Sequence, residues 1–141
     1  IAMQVARMQH QGRRSIWRKA TEAVEALLLT REHGHDRVLR QYLTIAPYGN
    51  RAHGVVRAAR LYFDKPVEDL SWVQAAFLAG LPQQPGKMNP YDSRGLARAT
   101  GRAKRILREL NRRGLVSDDE FALQHRSALL PELLHFVRAI L

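Results

Sequence analysis

Five residues carry side chains whose types and spacing could do chemistry together: Gln4, Arg7, Arg18, Lys19 and Glu22. The last three lie in Arg18-Lys19-Ala20-Thr21-Glu22, inside a run from Ser15 to Leu29 whose apolar residues Trp17, Ala20, Val24, Leu27 and Leu28 recur every three or four positions. That period predicts an amphipathic helix with one buried stripe. At about 100° per residue, Glu22 falls opposite the stripe with Arg18 and Lys19 to either side of it. One reading is a solvated face, the commoner use of such charges. A pair serving helix stability alone is better with the acid N-terminal to the base, and here the order is reversed. The other reading is a cleft in which the cations hold a phosphorylated ligand while Glu22 orients a hydroxyl, a metal or the cations themselves. One carboxylate amid several cations suits transfer away from a phosphate or pyrophosphate leaving group.

The elements that must position these groups read as helices throughout. No alternating stretch is long enough to argue for a sheet. An opening helix ends near Gln11-Gly12, and the Arg18–Glu22 helix stops at Gly34 with His33 in its last turn. Asp36 is placed to cap the next helix, with Val38, Leu39, Tyr42, Leu43 and Ala46 as its apolar face, until Pro47 breaks it. Tyr48-Gly49-Asn50 reads as a turn, followed by a helix from His53 to Phe63 that buries Val55, Val56, Ala59 and Tyr62 or Phe63. Ser71-Trp72-Val73-Gln74 is a capping box opening a helix, Val73 to Leu81, that is apolar nearly all round and so belongs at the centre of the core. A proline-rich loop through Pro82, Pro85 and Pro90 leads to a long cationic helix from about Ser93 to Arg113, stopped by Gly114. Ser117-Asp118-Asp119-Glu120 is a further capping box, opening a helix to about His125; beyond it Pro131 leaves the tail open between helix and extended chain.

With 141 residues and 45% hydrophobic content the chain can bury one domain's core and not two large ones. A net charge of +10 predicts an anionic partner, whether nucleic acid, an acidic lipid surface or a phosphorylated substrate. The absence of cysteine removes disulfides, thiol catalysis and cysteine-based zinc sites. No apolar run approaches the roughly 18 residues of a membrane helix, and the first residues are unlike a signal peptide. Ile1-Ala2-Met3-Gln4-Val5-Ala6-Arg7 looks like the inside of an element, so the chain is expected to be the remainder of a longer domain.

Other constellations carry less. His33-Gly34-His35 suits a turn better than a metal site, since no third ligand is signalled nearby. The basic helix, with Arg94, Arg98, Arg102, Lys104, Arg105, Arg108, Arg112 and Arg113, also has a core-facing stripe of Leu96, Ala97, Ala103, Ile106, Leu107 and Leu110. Without aromatic residues for base stacking, it reads as a solvated cationic face near anionic lipid rather than a nucleic-acid contact. Trp17 and Trp72 sit on apolar faces and are expected in the core. No P-loop, dinucleotide fingerprint or Gly-x-Ser-x-Gly is present.

Four motifs in series resemble the peptidoglycan glycosyltransferases of family 51, found in class A penicillin-binding proteins and monofunctional transglycosylases. Gln4-Val5-Ala6-Arg7 is similar to the end of the family's second motif, and Arg18-Lys19-Ala20-Thr21-Glu22 matches the third, Arg-Lys-x-x-Glu, in full. Leu39 to Thr44 through Pro47-Tyr48-Gly49 resembles the fourth, with Gln41 and Thr44 where Glu and Asn are usual. Gln74 to Pro85 with Asn89-Pro90 resembles the fifth, with Gln74 in place of the usual Glu. The likeness runs from residue 1 to about residue 125, and His135-Phe136-Val137 is similar to the start of the linker towards a transpeptidase domain.

The resemblance implies an all-α, lysozyme-like helical transglycosylase domain, incomplete at its N-terminus, over residues 1–125, with residues 126–141 a C-terminal helix or the start of a linker. It implies polymerisation of lipid II into glycan strands, with inversion at the sugar carbon and release of undecaprenyl pyrophosphate, at the outer face of the cytoplasmic membrane. Partners would be lipid II, the nascent glycan strand and the membrane surface, with no nucleic acid. No cofactor would be required, with room for a divalent cation, Mg or Mn. Glu22 would be the second of the family's two acidic residues, supporting the donor site or that ion; Arg7, Arg18 and Lys19 would neutralise the departing pyrophosphate, and Gln4 would contact the donor. The family's general base is a Glu in a first motif, Glu-Asp-x-x-Phe-x-x-His-x-Gly, which these 141 residues do not contain. Losing a general base typically costs on the order of 10²- to 10⁴-fold in rate, so the 141 residues alone are expected not to polymerise. The competing expectation is a noncatalytic cationic module binding anionic lipid or glycan through the Arg94–Arg113 helix, with a nucleic-acid-binding domain third.

Overall fold

The computed structural model describes residues 34–126. Two compact units divide the chain, Ile1–Ala46 and Pro47–Leu141. In the first, a helix α1 covers residues 34–45. Asp36 lies inside this helix and is not its cap. On α1, Val38 is buried and Tyr42 and Leu43 half-buried, whereas Leu39, expected on the same face, is exposed. The Ala46 amide donates to the Tyr42 carbonyl at 2.8 Å, closing the last turn just before Pro47, which has no amide to continue it.

The second unit opens on a hairpin that hydrophobic periodicity did not predict. β1 (Pro47–Gly49) pairs antiparallel with β2 (Ala52–His53), Pro47 opposite His53 and Gly49 opposite Ala52. Asn50 and Arg51 make the two-residue turn with φ of +48° and +60°. Two positive φ angles in succession give the primed turn whose twist matches paired strands, a conformation Asn tolerates well and Arg poorly. Strands of three and two residues are too short to show an alternating pattern, so Tyr48-Gly49 is strand where a turn was expected.

α2 (Val55–Phe63) therefore starts two residues later than His53, after Gly54 at φ +82°. It buries Ala58, Ala59 and Tyr62 and leaves Val56 65% exposed, so the apolar face is turned from the one expected. A 3₁₀ turn, Val67–Asp69, leads to α3 (Trp72–Gly80). The capping box is formed: the Gln74 amide donates to Ser71 Oγ at 3.3 Å, and the Ser71 amide to Gln74 Oε1 at 3.0 Å. This satisfies two amides that the helix start would leave without partners. α3 is the core helix, burying Val73, Gln74, Ala76, Phe77, Leu78 and Gly80. Phe77 meets the Phe63 ring edge-on with centroids 5.8 Å apart. Trp72, expected in the core, is 41% exposed because it occupies the first helical position, beyond the ring of packed neighbours.

After a 3₁₀ turn at Leu81–Gln83 and the proline-rich loop, α4 (Ser93–Arg112) packs along α3. Asp92 caps it, Oδ2 accepting from the Gly95 amide at 2.8 Å. Its buried stripe is Gly95, Ala99, Ala103 and Leu107, a strict four-residue spacing of mostly small residues. Ala97 is exposed and Leu96, Ile106 and Leu110 only half-buried. Small side chains bring the two helices close: at Gly80 an added Cβ would stand 3.3 Å from the Arg102 Cγ and Cδ. α5 (Asp118–Arg126) packs on α4 and α3, opened by the predicted Ser117–Glu120 box. Asn111 Nδ2 donates to the Val116 carbonyl at 3.1 Å and to Asp118 Oδ1 at 2.8 Å, fixing the α4–α5 turn.

Candidate functional site

The residues expected to do chemistry, Gln4, Arg7, Arg18, Lys19 and Glu22, lie outside the described residues, as does the tail from residue 127. What the described residues supply is the ground of the fourth and fifth motifs, and Pro47 and Gly49 of the fourth line one cleft with Pro85 and Asn89 of the fifth. The cleft encloses 270 Å³ between the hairpin, at Pro47, Gly49, Asn50 and His53, and the proline-rich loop, at Pro85 and Asn89.

A chain of polar contacts holds its walls together. The Tyr62 hydroxyl donates to the Tyr48 carbonyl at 2.8 Å and accepts from Asn50 Nδ2 at 3.1 Å. The same Asn50 amide donates to Asn89 Oδ1 at 2.9 Å, and Asn89 Oδ1 also accepts from the Tyr91 amide at 3.1 Å. Burial pushes the Tyr62 hydroxyl up to about 12, since the phenolate would lose its hydration; the Asn50 hydrogen bond opposes that shift and the Tyr91 hydroxyl adds to it. Tyr91 stands against Tyr62 with ring centroids 6.0 Å apart. The hydroxyl is therefore a fixed neutral link at physiological pH.

Two glycines let the backbones approach. At Gly49, φ is +84° and an added Cβ would stand 3.3 Å from the Pro85 carbonyl oxygen, so β1 lies directly on the loop. At Gly95 an added Cβ would stand 2.2 Å from the Asn89 carbonyl oxygen and 2.8 Å from its nitrogen. The loop is thus clamped between the hairpin on one side and the first turn of α4 on the other.

Among the described residues, amides, proline rings, the cation Arg51 and His53 line this cleft, and no carboxylate does. Such a wall can position or support a ligand. Gln74, at the position where the resembled motif has an acid, is 2% exposed and caps α3, so it serves the framework here. Among the described residues no group of three His, Cys, Asp or Glu is placed to hold a metal, and His35 is exposed on α1.

Sequence reasoning named Asn50 and Asn89 only as parts of a turn and a motif and did not pair them. Two asparagines 39 positions apart give no local signal; the Gly-Asn and Asn-Pro pairs around them were the only trace. Tyr62 was expected to be buried, and its hydroxyl bridge was not foreseen.

Comparison with known proteins places these stretches in a common frame. The family described as Transglycosylase matches residues 1–111. Penicillin-binding protein 1A of Pseudomonas aeruginosa is 35% identical over 122 residues, covering 86% of this chain and 15% of that protein. Penicillin-binding protein 1A of Neisseria flavescens is 36% identical over 141 residues, 99% of this chain and 17% of that protein. Penicillin-binding protein 2D of Bacillus subtilis is 34% identical over 118 residues, 83% of this chain and 17% of that protein. The chain thus spans 15–17% of the length of these relatives. In fold it is similar to the crystal structure of Penicillin-Binding Protein 1A from Haemophilus influenzae, with a TM-score of 0.58 and 24% identity over 91% of this chain and 16% of that one.

Proposed function

The chain belongs to the transglycosylase family, with a mostly helical fold, and from that premise we propose that it is part of a peptidoglycan glycosyltransferase that polymerises lipid II. The observation that carries the reading is the coincidence of the family match over residues 1–111 with a complete Arg18-Lys19-x-x-Glu22 motif inside it. In the proposed reaction an acceptor hydroxyl gives its proton to the general base of the joined segment and forms a bond to the donor's sugar carbon as the bond from that carbon to the pyrophosphate oxygen breaks, with inversion. Negative charge builds on the departing undecaprenyl pyrophosphate. Arg7, Arg18 and Lys19 neutralise it, guanidinium and ammonium groups being suited to phosphate oxygens, and Gln4 contacts the donor. Glu22 supports the donor site or holds a divalent cation, Mg or Mn, there. The clamped hairpin and loop keep Pro47-Tyr48-Gly49 of the fourth motif in fixed register with the fifth for that work.

The 141 residues lack the Glu-Asp-x-x-Phe-x-x-His pattern that would supply the general base. On this reading they do not polymerise lipid II by themselves, and they complete a working domain when a segment carrying that base is joined to them. The setting is the outer face of the cytoplasmic membrane, with lipid II and the growing glycan strand as partners.

A segment exchange tests this. Residues 1–111 replace the matching segment of Penicillin-binding protein 1A of Pseudomonas aeruginosa, and glycan strands formed from labelled lipid II are measured by gel. The expected result is polymerisation by the chimera and a loss of about 100-fold or more on Glu22→Gln. A chimera that polymerises equally well with Gln at position 22 would refute the assignment of Glu22. Strands formed by the unaided 141-residue chain would refute the requirement for a second segment.

A further inference from the structure

Along α4 and its C-cap, Arg102, Arg105, Glu109 and Arg113 follow one another at three- and four-residue steps, with Ile106 and Leu110 beside them. With Leu115 they line a groove of 390 Å³, separate from the cleft of the hairpin and loop. Its chemistry is divided: guanidinium groups on one part, an aliphatic wall of Ile106, Leu110 and Leu115 on the other. Leu115 is 60% exposed, beside the half-buried Ile106 and Leu110.

The cations are not equivalent. Among the described residues Glu109 is the one acid lining the groove, and its carboxylate is fully engaged. Oε2 accepts from Arg112 Nε at 2.8 Å, while Oε1 accepts from Arg112 Nη2 at 2.7 Å and Arg113 Nε at 2.6 Å. These bonds hold the Glu109 carboxyl down to about 2, so it stays ionised and committed to Arg112 and Arg113. Arg102 and Arg105 have no such counterion among the described residues. The Arg102 stem is laid on Gly80, which fixes the direction of its head, and its Nε is buried with no acceptor.

We propose that this groove binds the phosphate headgroup of an anionic lipid, Arg102 and Arg105 taking the phosphate oxygens and Ile106, Leu110 and Leu115 receiving the start of the acyl chain. A planar guanidinium fork matches phosphate geometry, and Arg102 and Arg105, without a counterion among the described residues, match one phosphate's charge. The aliphatic wall decides between anions: inorganic phosphate makes no use of it, and the bases of a single-stranded nucleic acid call for aromatic stacking that no described residue of the groove supplies. The chain's net charge of +10 favours approach to an acidic lipid surface. This site lies apart from Glu22 in sequence and does not depend on the glycosyl-transfer reading.

The test uses the ¹⁵N-labelled 141-residue chain and follows the Arg102 Nε–Hε NMR correlation, assigned by its loss in Arg102→Lys. Dihexanoyl phosphatidic acid below its micelle concentration is titrated against inorganic phosphate, dihexanoyl phosphatidylcholine and a short Glu-Leu-Leu peptide. Phosphatidic acid is expected to move the signal saturably, with affinity at least tenfold above the other three. Arg105→Gln and Leu115→Ser alter exposed side chains, so the fold survives, and each should weaken binding about tenfold. Equal affinity for inorganic phosphate, tighter binding of the peptide, or undiminished binding in either variant would each overturn the proposal.

Discussion

Gly95 and Gly101 sit six positions apart on α4, and the same substitution should move stability in opposite directions at the two sites. At Gly101 an added Cβ finds, among the described residues, only the Arg105 Nη1 at 4.0 Å, an ordinary contact. Alanine there should gain the helix-propensity difference, about 0.5–1 kcal/mol. At Gly95 the same gain is opposed by a Cβ 2.2 Å from the Asn89 carbonyl oxygen and 2.8 Å from its nitrogen. Both atoms are backbone, so no side-chain rotamer relieves the clash. Asn89 is also held in place: its carbonyl accepts from the Asp92 amide at 3.2 Å and its side chain from Asn50. Overpacking of this kind costs about 1–3 kcal/mol, and breaking an Asn89 bond costs about 1 kcal/mol more. Net destabilisation by Gly95→Ala should therefore be about 2 kcal/mol, some 3 kcal/mol from Gly101→Ala. In a Trp17→Phe background Trp72 is the sole indole, and its fluorescence reports urea unfolding of the unit that holds both glycines. With a slope of about 1–2 kcal/mol per molar urea, the two midpoints should differ by more than about 1 M. A Gly95→Ala midpoint at or above that of the parent would refute the clamp of loop on helix.

The remaining expectations concern single groups. Tyr62 has its folded pKa raised from 10.0 to about 12, so its stabilising contribution is complete below pH 10 and lost as pH rises from 10 to 12. That loss is up to about 3 kcal/mol, and Tyr62→Phe should melt with a shallower alkaline decline, while starting about 1–3 kcal/mol less stable at pH 7 because the buried Tyr48 carbonyl loses its donor. Parallel melting curves for parent and variant between pH 10 and 12 would contradict the burial argument. Ser71→Ala removes one half of the α3 capping box and should cost about 1 kcal/mol, visible as a lower thermal midpoint that Ser71→Asp largely restores.

Helix starts were legible in the sequence wherever a side chain next to the backbone makes the decision. Ser71 with Gln74 and Ser117 with Glu120 cap α3 and α5 as their three-residue spacing requires, because an N-cap bond is local. The near-continuous apolar run of α3 likewise foretold the core helix, and the four motifs in series foretold the transglycosylase family. Tertiary structure decided what local spacing cannot encode. The rotation of α2 that exposes Val56 and buries Ala58 depends on what α3 offers as a packing surface. The hairpin forms because Asn50 can reach Asn89 and because Gly49 admits Pro85, contacts between residues more than thirty-five positions apart. The four-residue stripe of Gly95, Ala99, Ala103 and Leu107 is chosen over the larger Leu96 and Ile106 because two helices can lie close only where side chains are small. Composition fixed how much apolar surface had to be buried; steric fit between distant segments fixed which atoms bury it.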